Sequence, residues 1–270
     1  MVGTKVGLAA LVGLMGAAAW TPASAGTNLI VNGSFAEETI NGAPATSSDQ
    51  LVSPSDNYSN AAVVTGWLNA GYTFLFVPDA TKASGTTADT TGATSPENGN
   101  AALKLWGPGT GQANGLTQSP DGNNFIASDG AYQRGAISQA VNNLVIGNNY
   151  FLSFYWAAAQ QQGFTGATTE GWDVSFGGTT YSTPTVSTAS QGFSPWRQQT
   201  FSFQATALSQ TLSFLATGAP SGLPPFSLLD GVSLQVPEPA TWAIVMLGVV
   251  GAGAMSLHRR RRGAAKAAAA

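Results

Sequence analysis

The chain of 270 residues contains no cysteine and one histidine, His258, which stands beside a C-terminal arginine cluster. A thiol nucleophile is absent, and a histidine triad or histidine metal site has no residue to use before position 258. No serine stands in the G-x-S-x-G setting of a nucleophile elbow. Hydrolysis of sugars needs two positioned carboxylates. The acidic residues lie mostly in Gly-, Ser- and Thr-rich stretches; Glu37 and Glu38 are adjacent, and Glu170 and Asp173 bracket Gly171-Trp172. Such acids read as solvated surface, so the chain reads as non-enzymatic. Two chemistries remain. Carboxylate and carbonyl oxygens can hold calcium, which needs neither nitrogen nor sulfur. Exposed aromatic faces can stack on sugar rings, and Trp67, Trp106, Trp156, Trp172 and Trp196 supply them. Trp106 precedes a glycine-rich loop and Trp172 follows a polar loop, so these two are the candidate ligand contacts. Core packing is the competing role for every tryptophan.

Charge narrows the partners. Between residues 26 and 236 there are four basic residues against twelve acidic ones, a net charge of -8. A domain this acidic has no basic footprint for nucleic acid. Without disulfides, packing, with or without a bound metal, must hold it together.

The elements that would carry these residues are strands. Tyr72–Val77, Ala101–Trp106, Gly135–Val141, Tyr150–Trp156, Gly171–Phe176, Trp196–Ala205, Ser209–Thr217 and Leu228–Gln235 are rich in β-branched and aromatic residues or alternate in polarity. Leu29–Val31, Ala62–Leu68 and Thr179–Tyr181 add shorter strands, and Gly177-Gly178 predicts a tight hairpin turn. In Tyr150–Trp156 both faces are apolar, which predicts a central strand covered on both sides. The stretches 36–60, 80–99 and 107–124 read as loops. About ten strands and no convincing helix predict an all-β fold, an antiparallel β-sandwich or jelly roll.

Both ends carry targeting features. Residues 1–25 have Lys5, an apolar run and Ala23-Ser24-Ala25, the layout of a signal peptide cleaved after Ala25. Residues 26–235 then form one domain, with a sorting region at 236–262 and an Ala-rich tail at 263–270. Pro237-Glu238-Pro239 holds the backbone extended and removes two N–H donors. Trp242 to Leu257 is 16 residues without a charge, about 24 Å as a helix. Arg259, Arg260, Arg261 and Arg262 snorkel to one headgroup layer and belong on the cytoplasmic side. A plain membrane anchor would need the apolar stretch and the arginines but not the two prolines.

The order Pro237-Glu238-Pro239-Ala240-Thr241-Trp242, apolar stretch, arginine cluster resembles the PEP-CTERM sorting signal of Gram-negative bacteria. That resemblance implies an exosortase partner, cleavage near the Pro-Glu-Pro motif, passage through the inner membrane, and delivery to the cell surface or extracellular matrix. A second resemblance rests on N-L-I-V-N-G-S-F at 28–35, Gly66-Trp67, Ile137-Ser138-Gln139 and Leu229-Asp230-Gly231-Val232-Ser233-Leu234. Together they are similar to galactose-binding-like jelly rolls, the fold of many carbohydrate-binding modules. The resemblance implies a structural calcium joining first and last strands, with Glu37 and Asp230 as its candidate ligands here. Ala36 stands where that family places an acid, and Gly231 replaces a second aspartate; a turn cap or buried hydrogen bond is the other role for Asp230.

The reading is a non-catalytic, exosortase-sorted surface or matrix protein that binds exopolysaccharide. A secreted polysaccharide-acting enzyme and a ligand-free structural surface protein are the alternatives.

Overall fold

The computed structural model describes residues 27–40, 42–44, 47–52 and 61–236. The signal-peptide positions Ala23 and Ala25, the Pro237-Glu238-Pro239 motif, the Trp242–Leu257 stretch and the four arginines lie outside the described residues. Among the described residues no helix is long and apolar enough to cross a membrane. The helices described are the short 3-10 turns Pro96–Asn98 and Pro108–Thr110.

The domain is all-β. Its described strands are β1 (Glu38–Ile40), β2 (Ala43–Pro44), β3 (Asp49–Gln50), β4 (Ala62–Val64), β5 (Leu68–Asn69), β6 (Thr73–Phe76), β7 (Ala93–Ser95) and β8 (Ala101–Leu103). There follow β9 (Phe125–Asp129), β10 (Ile137–Val141), β11 (Asn149–Gln160), β12 (Thr168–Phe176), β13 (Thr179–Ser182), β14 (Val186–Thr188), β15 (Phe193–Gln204), β16 (Gln210–Ala219) and β17 (Pro225–Gln235). One sheet has the order β15-β11-β17-β9-β6-β3-β7-β8, and a second β13-β12-β16-β10-β5, with β14 also on β12. A small sheet, β2-β1-β4, adjoins the first sheet through the Leu51–Ala62 bridge and lends Ala62 and Val64 to the first core. The pairings are antiparallel except β3 with β7.

Alternation explains how the two large sheets face each other. Tyr150, Leu152, Phe154 and Trp156 of β11 share one face and pack with Trp172 and Phe176 of β12 and Phe214 of β16. The Phe154 and Phe214 rings meet edge to face at 5.1 Å. Each such buried side chain contributes about 1.5–3 kcal/mol, which is how a domain without disulfides holds together.

A second core lies on the opposite face of the larger sheet. Phe74, Phe76, Phe125, Ala127, Phe226 and Leu228 alternate with residues of the first core and join Ala88, Leu105 and Leu116. The latter three come from the loops of the 77–124 segment outside β7 and β8, and these loops form a third layer over the sheet. Sequence polarity hides that layer: 80–99 and 107–124 are polar in composition, yet they carry the few apolar residues that cover a sheet.

This layer also corrects the expectation for β11. Phe151 is exposed and Tyr155 half-buried, whereas Ala157 and Ala159 are buried in the second core. The strand is covered on both sides only over its last third. Leu29–Val31 is not a regular strand, although the Leu29 N–H donates to the Leu234 carbonyl. The Gly177-Gly178 hairpin forms as expected, with φ of 59° and 86° suited to glycine.

Candidate ligand-binding cleft

Where the third layer meets the end of the larger sheet, an open cleft of about 500 Å³ is left. Tyr72, just before β6, and Asp129, the last residue of β9, form its floor with Leu103 of β8. The loop after β11 contributes Gln161 and Phe164, and the loop before β17 contributes Ser221 and Pro224. Tyr132 overhangs one side, its ring edge to face with Tyr72 at 5.2 Å.

The polar groups converge by local hydrogen bonding. Asn98 Nδ2 donates to Tyr72 Oη at 2.8 Å and to Ser95 Oγ at 2.9 Å, which fixes the amide at the cleft edge. Tyr132 Oη donates to Glu97 Oε1 at 3.1 Å, and Gln133 Nε2 bridges both groups. Asp129 is almost fully buried. Its Oδ1 accepts the backbone N–H groups of Ala131 and Tyr132 at 2.7 and 2.9 Å, while its Oδ2 has no hydrogen-bond partner among the described residues. Burial raises the Asp129 carboxyl above the ordinary range, and those two N–H bonds oppose the rise. A buried acceptor without a donor is costly unless something supplies one. The cleft thus offers aromatic surface and an amide, with the unpartnered Asp129 acceptor buried behind its lining, and no lysine or arginine lines it.

The sequence candidates fall elsewhere. Trp172 is fully buried in the first core, with its indole N–H donating to the Leu228 carbonyl, so it presents no face to a ligand. Trp106 is half-buried and does not line the cleft, but its indole N–H holds the Phe164 carbonyl at 2.7 Å and so supports the loop that does. Tyr72, Tyr132, Phe164 and Asp129 were not legible as a site, because they come from three separate segments and none stands in a motif.

Glu37 and Asp230 are not brought together. Glu37 is exposed, and its backbone N–H and carbonyl bond to Asn32 and Thr65. Asp230 is fully buried on β17, with Ser119 and Asp121 of the third layer against it. Burial first, and Asp121 second, push its carboxyl up to about 9. Among the described residues no donor within hydrogen-bond geometry reaches its Oδ1. A bulge at this point of the β11–β17 pairing sets Asp230 opposite Tyr155, and Gly231 (φ 59°) lies so close that a Cβ would meet the Tyr155 ring at 2.9 Å. Two carboxylates and a hydroxyl are hard oxygen donors of the kind calcium takes, although among the described residues no three His, Cys, Asp or Glu side chains stand together as a metal group. Asp230, Asp121 and Ser119 would hold the ion, and Glu37 would not. Calcium would supply positive charge to a carboxylate pair otherwise held by a proton.

Residues 235–262 match the PEP-CTERM protein-sorting motif. Among solved structures, TmCBM61 in complex with β-1,4-galactotriose is similar at 13% identity over 78% of this chain and 99% of that one, with a TM-score of 0.38. A CBM4 module is similar at 16% identity over 50% and 86% of the two chains, TM-score 0.29. The CBM28 module specific for non-crystalline cellulose is similar at 14% identity over 50% and 81%, TM-score 0.28. No curated protein matches the chain.

Proposed function

We propose that this is an exported surface or matrix protein whose sandwich domain binds a neutral saccharide in the Tyr72–Tyr132–Phe164 cleft. The observation that carries the reading is Asp129 Oδ2, a buried acceptor without a donor beside aromatic rings. A sugar offers what that environment lacks, hydroxyl donors on one edge of a ring and C–H surface on its face. The absence of a cationic lining side chain favours neutral over anionic polymers.

The cleft is lined by one carboxylate, Asp129. A glycosidase of the two-carboxylate kind needs a second one; Glu97 stands beside Tyr132 with its Oε1 held by Tyr132 and Gln133, and the non-catalytic reading is preferred. In this reading the signal peptide is removed after Ala25, Trp242–Leu257 anchors the precursor in the inner membrane with Arg259–Arg262 inside, and an exosortase acts near Pro237-Glu238-Pro239. The sorting motif at 235–262 supports that route to the surface of a Gram-negative cell.

The test is calorimetric titration of the full chain in detergent with neutral β-1,4-linked oligosaccharides and with an anionic uronate oligomer. Saturable binding of a neutral ligand that is lost in Tyr132→Ala supports the cleft. Binding unchanged by Tyr132→Ala and Asp129→Asn would place the ligand elsewhere, and no binding by any glycan leaves a structural surface protein.

A further inference from the structure

The end of the sandwich opposite the cleft carries its own signature. The β10–β11 turn (142–148) and the β15–β16 turn (205–209) are joined there: the Leu144 N–H donates to the Leu208 carbonyl, Gly147 N–H to Ala205, and Ser209 Oγ to Asn142 Oδ1. From these joined turns Val145, Ile146 and Leu208 project at 56%, 60% and 66% exposure. Neither turn contains a charged residue, in a domain with twelve acids. Turn tips are ordinarily polar, because apolar groups in water gain nothing there. Three apolar tips on one uncharged end need a partner that is itself apolar.

The chain's own course indicates which. Gln235 at the end of β17 pairs with Phe151 near the start of β11, so the domain's last strand finishes beside the 142–148 turn. Only Val236 to Thr241 separate Gln235 from Trp242, where the uncharged stretch begins. Seven residue steps span at most about 25 Å even when fully extended. If that stretch enters a bilayer, this end of the domain is tethered within that distance of its surface. The cleft residues Gln161, Phe164 and Ser221 follow the opposite ends of β11 and β16, about 40 Å away along a 12-residue strand.

We infer that in the membrane-tethered precursor the Val145, Ile146 and Leu208 tips dip into the headgroup boundary of the bilayer, holding the domain upright with its cleft facing away. The inference rests on the reading of Trp242–Leu257 as a membrane segment. Apolar side chains at the interface gain by burial, and uncharged loops avoid repulsion from anionic lipid. Cutting near Pro237-Glu238-Pro239 then leaves only these three side chains as a membrane contact, weak enough for release.

The absence of cysteine permits single-site labelling. The full chain would be reconstituted in phosphatidylethanolamine–phosphatidylglycerol vesicles with an environment-sensitive fluorophore at Asn148→Cys, Thr165→Cys or Val249→Cys. Asn148 and Thr165 are exposed and their side chains make no hydrogen bond. The expected result is blue-shifted emission, quenched by spin-labelled lipid, at positions 249 and 148 but not at 165. Adding Val145→Ser, Ile146→Ser and Leu208→Ser should reduce quenching at 148 to the level at 165 without affecting 249. Quenching at 249 with none at 148 overturns the inference and keeps the membrane segment. No quenching at 249 removes the membrane segment itself, and the inference with it.

Discussion

Asp230 and Asp121 share one hydroxyl: Ser119 Oγ lies 2.9 Å from Asp121 Oδ1 and in direct contact with Asp230 Oδ2. A serine hydroxyl has one proton to donate, and two carboxylates have none. A second proton is needed, and Asp230 is the group whose carboxyl is pushed up to about 9. Asp230, buried beside the exposed Asp121, is therefore the group held toward its neutral form.

That proton makes stability depend on pH. The Asp230 carboxyl ionises near its ordinary value of 3.8 in the unfolded chain and near 9 in the folded one. Between those values the folded state binds more protons, so stability falls as pH rises from about 4 to about 9 and levels off above. Asp49, raised to about 6 by burial, adds to the fall over the lower part of the window. Urea unfolding at pH 5 and pH 8 should show the lower midpoint at pH 8. Asp230→Asn, neutral at every pH, should flatten the profile above pH 6; a profile as steep as the parent's would remove Asp230 as the cause.

Calcium should compete with the same proton. At pH 8 the parent's melting temperature should rise with added calcium and fall with chelator. Asp230→Asn should abolish the response, while Glu37→Gln should leave it intact, because Glu37 is exposed and away from the pair. Melting temperatures indifferent to both calcium and chelator would leave the pair as a purely protonated contact.

The two tryptophan candidates should separate by what they lose. Trp172→Ala opens the first core beside Phe214, whose ring lies 6.1 Å away, and should cost about 3–5 kcal/mol of stability. Trp106→Phe keeps a ring but removes the donor to the Phe164 carbonyl, a loss of about 0.5–1.5 kcal/mol. Saccharide affinity should weaken in Trp106→Phe through the displaced Phe164 loop. Chemical denaturation and glycan titration of both variants check this.

The long strands were legible because their chemistry is local. Leu152, Phe154 and Trp156 alternate with Phe151, Ser153 and Tyr155, and Gly177-Gly178 marks its own turn. β9 was not legible: Phe125–Asp129 is short and buried throughout, so it shows no polarity alternation. The site was least legible of all. Asp129 looks like any loop acid until β9 and the 131–132 turn leave Oδ2 without a donor, and Tyr72 looks like a core residue until the third layer stops short of it. Trp172 misled because flanking polarity says nothing about which sheet face a side chain takes.

In the cleft, Asp129→Asn separates structure from recognition. The asparagine Oδ1 can still accept from Ala131 and Tyr132, so the turn is retained. The unpartnered atom changes from acceptor to donor. Affinity for a neutral saccharide should fall about tenfold to a hundredfold, the worth of about 1.5–3 kcal/mol for a charged hydrogen bond. Tyr132→Ala should lose about twofold to tenfold through its ring surface. A uronate oligomer should bind the parent more weakly than its neutral counterpart and gain relative to it in Asp129→Asn. Equal affinities across the series would take Asp129 out of the site.

The sorting motif makes a prediction that a plain anchor does not. Proline fixes φ and lacks an N–H, so the sequence Pro237-Glu238-Pro239 favours an extended, donor-poor peptide of the kind a protease can bind. Intact masses by cell fraction should show a surface or matrix species that starts at Gly26 and ends within a few residues of Pro237-Glu238-Pro239. Replacing both prolines with alanine restores helix-compatible backbone and should trap a full-length, membrane-bound species retaining Arg259–Arg262. An anchor would give that uncut species in the parent as well. A cut made equally well in the proline variant would mean that the protease reads the apolar stretch and the arginines, with the extended backbone irrelevant to it.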